Sequence, residues 1–91
     1  MEVLEFVNKN NIDYDIFTNN YEAILSIYNI CKLANNYKIN DLIIDSNQVS
    51  FKIKKTNKSP ITDAISFFKS KFDIKMNIIN NMVEYIIKVS G

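Results

Sequence analysis

Apolar and polar residues alternate most clearly near the end of the chain. In "DIKMNIINNMVEYIIKVS", residues 73–90, two alternating runs flank Asn80 and Asn81. Asparagine tolerates the left-handed conformation of tight hairpin turns, so we expect a two-residue loop here. The cross-strand partners that this loop creates are all apolar and share one face: Ile78 with Val83, Met76 with Tyr85, and Ile74 with Ile87. The pattern therefore predicts a hairpin near 74–89 and its register.

A second hairpin is predicted near 41–55, in "DLIIDSNQVSFKIKK". With Asn47 and Gln48 as the loop, the apolar partners on one face are Ile44 with Phe51 and Leu42 with Ile53. Further upstream, the alternation of "IDYDIF" predicts a strand near 12–17. The segment "EVLEFV" before it fits either a partner strand or a short helix, and we favour the strand.

Helical spacing predicts two helices, at about 20–35 and about 60–72. Asn19 and Glu22 have the spacing of a capping box for the first helix, and Ser59-Pro60 is typical of the start of the second. The apolar face of the first helix is wider than one sheet can cover. We therefore expect either the N-terminal segment or another subunit to cover its flank.

These elements predict a single α+β domain over residues 1–91. Its sheet should be mainly antiparallel, with about five to six strands, and both helices should pack on one face. A chain of 91 residues buries a modest share of its surface, and dimerisation would add to its stability. We therefore expect a homodimer.

Composition bears on origin and on location. The chain has no Arg, His or Trp and is rich in Lys, Asn and Ile, whose codons are AT-rich. This favours an AT-rich bacterium, phage or mobile element as its source. Residues 1–10 do not resemble a signal peptide, and no apolar run has the length of a membrane span. We expect a cytoplasmic protein without membrane contact.

The candidate chemistry is sparse. Without His there is no conventional catalytic triad or His-ligated metal, and the only Gly is the last residue, which excludes a Gly-rich phosphate loop. Asp13 and Asp15 fit the polar side of an edge strand better than a metal site. The single Cys31 lies in an apolar run and is interpreted as a buried structural thiol. We expect no enzyme activity, catalytic residue, cofactor or metal.

Charge is distributed unevenly along the chain. Residues 1–51 hold three lysines and seven acidic residues, a net charge of −4, whereas residues 52–75 hold seven lysines and two acidic residues, a net charge of +5. The lysines of this basic region are candidates for binding nucleic acid or an acidic partner: Lys52, Lys54, Lys55, Lys58, Lys69, Lys71 and Lys75.

Apolar residues on the opposite side of the predicted strands form a candidate protein interface: Ile43, Ile79, Met82 and Ile86. Tyr14, Phe51 and Tyr85 could stack on nucleic-acid bases, but their aliphatic neighbours favour core positions. We interpret the chain as a small non-enzymatic interaction module, a regulator or inhibitor that binds a host macromolecule. The alternative is a nucleic-acid-binding protein that uses the basic region.

Overall fold

The computed structural model describes residues 1–55 and 72–89. The described residues form an α+β structure, as predicted, with three helices followed by a four-stranded antiparallel sheet. The helices are α1 (Val3–Lys9), α2 (Tyr14–Asn19) and α3 (Tyr21–Ala34). The strands are β1 (Asn40–Ile44), β2 (Gln48–Lys54), β3 (Phe72–Ile79) and β4 (Met82–Val89).

The prediction of five to six strands is not confirmed, because both predicted N-terminal strands are helices. The "IDYDIF" segment is helical from Tyr14, and the Asp13 carboxylate accepts a hydrogen bond from the Asp15 backbone N–H at 3.0 Å. Asp13 therefore caps a helix instead of lining a strand. Tyr14 and Ile16 are exposed, at 66% and 40%, whereas Phe17 is buried. The alternation of this segment thus does not correspond to a buried face.

The helix α1 covers the flank of α3. Phe6 and Val7 of α1 are buried, and the Phe6 ring meets Tyr28 of α3 edge-on at 5.6 Å between centroids. The Tyr28 hydroxyl also donates a hydrogen bond to the backbone carbonyl of Met1. We expected either the N-terminal segment or another subunit to cover the flank of α3. In the structure, the N-terminal segment covers it.

The ends of α3 differ in part from the prediction. Its N-cap residue is Asn20, so the predicted capping box of Asn19 and Glu22 is wrong. The Asn20 amide instead donates to the carbonyl of Ile16, one turn back in α2. At the other end, Asn35 adopts the left-handed conformation, with φ of 53°. This residue ends the helix in the manner of a C-terminal glycine.

The strands follow the order β1-β2-β4-β3. The predicted register of the C-terminal hairpin is confirmed, because Ile78 pairs with Val83, Met76 with Tyr85, and Ile74 with Ile87. Asn80 has the expected positive φ, 55°.

The hairpin near 41–55 is also present, but its predicted register is wrong by two residues. Ile44 pairs with Val49, since the loop is Ser46-Asn47 and Asp45 exchanges backbone hydrogen bonds with Gln48. A shift of two keeps every side chain on its face, so alternation cannot distinguish the two registers. The register then slips once more at a bulge in β1, where Asp41 has φ of 52°.

The core lies between the helices and one face of the sheet. Its largest fully buried side chains come from both layers: Tyr85, Phe6, Phe51, Ile24, Ile27, Ile30, Ile53 and Ile87. Burying one such side chain stabilises the fold by about 1.5–3 kcal/mol. All three described helices contribute buried side chains to this core. The predicted second helix, about 60–72, lies outside the described residues except for Phe72, which begins β3.

Asn10 joins the helical layer to the chain that enters the sheet. Its amide donates to the carbonyls of Phe6 at 3.0 Å and Tyr37 at 2.8 Å, and its side-chain oxygen accepts from the Ile39 N–H at 3.0 Å. This one side chain therefore connects the end of α1 with the segment before β1.

Among residues 1–55 and 72–89, no helix combines the length and the hydropathy that crossing a membrane requires.

Candidate interaction surface

The face of the sheet that points away from α1, α2 and α3 carries the candidate surface, which we call the outer sheet face. Its side chains are fixed by strand pairing, because opposite residues of antiparallel strands lie on the same face. The residues of the outer sheet face are Ile43 of β1; Gln48, Ser50, Lys52 and Lys54 of β2; Asp73, Lys75, Asn77 and Ile79 of β3; and Met82, Glu84, Ile86 and Lys88 of β4.

The four predicted interface residues all lie on the outer sheet face. Ile43 is 61% exposed and Ile79 is 45% exposed, whereas Met82 and Ile86 are half-buried. Ile79 and Met82 are direct cross-strand neighbours. Ser50 separates Ile43 from Ile86. The apolar residues therefore form two groups, Ile43 with Ile86 and Ile79 with Met82, that are two rows apart on the face.

A polar row crosses the sheet between these two apolar groups. Lys52 lies opposite Glu84, and Glu84 lies opposite Asn77. The Asn77 amide donates to the Glu84 carboxylate at 3.3 Å, and the Lys52 ammonium pairs with Asp41 at 3.3 Å. The Glu84 and Asp41 carboxylates thus both have partners within the molecule. The ion pair with Asp41 neutralises the charge of Lys52 more than that of the other described lysines on this face.

The structure places three more of the candidate lysines. Lys54 lies opposite Met82, and Lys75 lies opposite Ile86, so each stands beside an apolar group. Lys55 follows β2, and its backbone N–H donates to the carbonyl of Asn81 at 2.6 Å. Lys54, Lys55 and Lys75 are exposed. The remaining candidates, Lys58, Lys69 and Lys71, lie outside the described residues.

Sequence reasoning missed one basic residue of this surface. Lys88 lies on the outer sheet face, opposite Gln48 on one side and Asp73 on the other. Its position follows from the alternation of β4, two residues after Ile86.

The two layers carry charges of opposite sign. Residues 1–34, the helical layer, hold two lysines and five acidic residues, a net charge of −3. The outer sheet face, with the Asp41 carboxylate that pairs with Lys52, holds four lysines and three acidic residues, a net charge of +1. The charge polarity along the sequence is therefore also a polarity across the fold.

Aromatic side chains do not reach this surface in the part of the chain that the structure describes. Phe51 and Tyr85 are fully buried in the core, as favoured from the sequence. Tyr14 is exposed, but it belongs to α2 and not to a strand. The described outer sheet face thus offers cations and aliphatic side chains without a platform for base stacking.

The other candidate groups have structural surroundings. Cys31 is fully buried, and burial raises the pKa of its thiol from 9.0 to about 12, which disfavours the reactive thiolate. Within residues 1–55 and 72–89, no three His, Cys, Asp or Glu side chains come together as a metal site would require.

A cleft of about 420 Å³ lies elsewhere, between the start of α3 and the β1–β2 turn. Glu22 and Asp45 both line it, together with Asn19, Asn20 and Gln48. Its lining belongs mainly to the helical layer and is acidic, so it does not extend the basic outer sheet face.

Comparison of the chain with protein-family models, curated proteins and solved structures finds no match in any of the three.

Proposed function

We propose that the protein is a small non-enzymatic interaction module that binds an acidic surface of another protein through its outer sheet face. The observation that carries this proposal is the placement of exposed lysines beside apolar side chains on one face. Lys54 adjoins the Ile79–Met82 pair, and Lys75 adjoins Ile86. Lysines at the rim of an apolar contact speed encounter with an acidic partner and select against basic ones.

The composition adds an origin to this proposal. A short, Arg-free chain with AT-rich codon usage is typical of a regulator or inhibitor encoded by an AT-rich bacterium, phage or mobile element. Such a protein would act in the cytoplasm by occupying a surface of a host macromolecule. The acidic helical layer would then face solvent, away from the bound partner.

Nucleic acid is the alternative ligand for the same lysines. Lysines without Arg give mainly non-specific contacts to phosphates, and the described face has no aromatic side chain for stacking. These two features favour protein over nucleic acid as the partner.

Two matched pairs of variants test the proposal. Lys54→Glu and Ile43→Ser change the outer sheet face, whereas Lys32→Glu and Leu33→Ser make the same changes at exposed positions of α3. The probes are a labelled polyglutamate peptide, a duplex DNA, and nuclease-treated host lysate in which captured proteins are quantified. Circular dichroism and thermal melts of each variant verify folding.

We expect polyglutamate affinity to fall about fivefold or more in Lys54→Glu and to stay within twofold in Lys32→Glu. Lysate proteins that Ile43→Ser loses and Leu33→Ser keeps would be the specific partners. Equal losses in both members of each pair would overturn the proposal. Binding to duplex DNA that exceeds polyglutamate binding and falls steeply with salt would establish the alternative.

A further inference from the structure

The two edges of the sheet differ in how well they are protected. The edge strand β1 has five residues and is broken by the bulge at Asp41. The other edge strand, β3, has eight residues and pairs with β4 in an unbroken register. Within residues 1–55 and 72–89, β4 is the only strand that pairs with β3.

An edge of this kind is competent to accept another strand. The hydrogen bonds of an antiparallel ladder alternate, so every second residue of β3 directs its N–H and C=O away from β4. Proteins usually protect such edges with short strands, bulges, prolines or several charges. Between Phe72 and Ile79 there is no bulge and no proline, and the two charges are of opposite sign, Asp73 and Lys75.

We propose that a second copy of this chain pairs with β3, antiparallel, to form a continuous eight-stranded sheet across a two-fold axis. The axis would stand perpendicular to the sheet, which keeps the helical layers of both copies on the same side. Each residue must then oppose a residue of the same face. Because side chains alternate between the two faces, the partner of each residue can shift only in steps of two from one allowed register to the next.

Charge complementarity selects one of these registers. With Ile74 on the axis, Asp73 of each copy lies opposite the partner's Lys75, which gives two pairs of opposite charge. With Lys75 on the axis, two lysines meet directly. With Met76 on the axis, Asp73 opposes Ile79 and Lys75 opposes Asn77, so neither charge is matched. Asp73 and Lys75 are both exposed and available for the first arrangement.

The edge suits a homodimer better than the outer sheet face does. That face carries four lysines and a net charge of +1, so two copies in face-to-face contact would bring lysines together. Pairing through β3 leaves the outer sheet faces of both copies side by side and open. The dimer would therefore present two partner-binding faces in one plane. The proposal of the dimer does not depend on the proposed function.

Charge reversal at the edge tests the dimer and its register together. Sedimentation equilibrium of the whole chain should show a dimer whose dissociation constant rises roughly tenfold in Asp73→Lys and in Lys75→Asp, because like charges then oppose each other. The double variant Asp73→Lys/Lys75→Asp restores opposite charges and should return the dissociation constant to within about twofold of the original. Lys54→Glu, which alters charge on β2, should leave it unchanged.

Disulfide trapping provides a second readout of the register. A mixture of Asp73→Cys and Lys75→Cys chains should cross-link under oxidation more than either chain alone, because position 73 opposes position 75. Cys31 does not compete, since it is buried. A chain that stays monomeric at about 1 mM overturns the proposal. The proposal is also overturned if neither charge reversal changes the dissociation constant of the dimer, or if the double variant does not restore it. Loss of polyglutamate binding with an intact dimer would bear only on the proposed function.

Discussion

Phe51 and Tyr85 stack at directly opposite positions of β2 and β4, with ring centroids 5.1 Å apart and ring planes 18° apart. Both side chains are fully buried. The Tyr85 hydroxyl has no hydrogen-bond partner in the described part of the chain. A buried polar group without a partner costs about 1–3 kcal/mol.

Removing that hydroxyl should stabilise the fold. We expect Tyr85→Phe to raise the free energy of unfolding by about 1 kcal/mol in urea titrations, because the stacked ring is kept. Tyr28→Phe is the control, since the Tyr28 hydroxyl donates to the Met1 carbonyl. It should leave stability unchanged or lower it slightly. A Tyr85→Phe chain less stable than the original by more than about 1 kcal/mol would contradict the expectation.

Stability should fall at high pH because of two buried groups. Burial raises the pKa of Cys31 from 9.0 to about 12, and burial together with the nearby Cys31 charge raises the pKa of Tyr85 from 10.0 to about 12. Above pH 9 the unfolded chain therefore loses protons that the folded chain keeps. The free energy of unfolding should decrease as the pH rises from about 9 to 12, by up to about 1.4 kcal/mol per pH unit for each group.

Urea midpoints measured at pH 8, 9, 10 and 10.5 check this dependence. Cys31→Ala should flatten the slope between pH 9 and 10, because in the unfolded chain the thiol, with its ordinary pKa of 9.0, loses its proton ahead of the Tyr85 phenol, with its ordinary pKa of 10.0. An unchanged slope in Cys31→Ala would exclude the thiol as its source.

Asn10 should be important for stability although its neighbours in sequence are exposed. Asn10→Ala removes three hydrogen bonds, to Phe6, Tyr37 and Ile39. The Phe6 carbonyl still accepts from the backbone N–H of residue 10, whereas the partly buried Tyr37 carbonyl and Ile39 N–H lose this partner. We expect a loss of about 2–3 kcal/mol in thermal or urea unfolding. The matched control is Asn8→Ala, at an exposed position of α1, which should change stability by less than about 0.5 kcal/mol. Similar losses of stability in both variants would indicate that replacing Asn by Ala perturbs α1 itself, and that the three hydrogen bonds of Asn10 are not the cause.

The left-handed conformation of Asn35 gives a prediction about backbone preference. Asn35→Gly should be neutral or stabilise the protein by up to about 1 kcal/mol, and Asn35→Ala should destabilise it by about 1 kcal/mol, because a Cβ is disfavoured at positive φ. Asn35 is exposed, so neither change alters the core. Thermal melts of both variants measure the effect, and the reverse order of stability would contradict it.

The accuracy of each sequence-based prediction depends on how far the residue pattern restricts the possible strand pairings. The C-terminal hairpin was predicted with its register because three apolar pairs and an Asn-Asn loop agree on one alignment. The earlier hairpin was predicted with a register that is wrong by two residues, because Ile44 stays on the core face opposite either Phe51 or Val49. The bulge at Asp41 has no counterpart in the alternation.

The N-terminal prediction failed for a different reason. The five alternating residues from Ile12 to Ile16 are compatible with a strand, but Asp13 is also a good helix cap. The wide apolar face of α3 needs cover, and α1 provides it with Phe6 and Val7. This demand arises only when α3 is folded, so residues 3–19 take the secondary structure that covers the core.

The candidate surface was predicted as a set of residues but not as an arrangement. Alternation placed Ile43, Ile79, Met82 and Ile86 on one face, and the structure agrees. The strand order, which alternation does not encode, brings a polar row between them. It also leaves β3 at the edge.

The sequence by itself determined the α+β class, the helix α3, the two hairpins and the faces of their strands. These features depend on periodicity within one segment and on turn residues such as Asn80. Tertiary structure decided the helical N-terminus, the register of β1, the charges of the two layers and the identity of the edge strand. Each of these depends on contacts between segments distant in the chain, whose free energy no single segment contains.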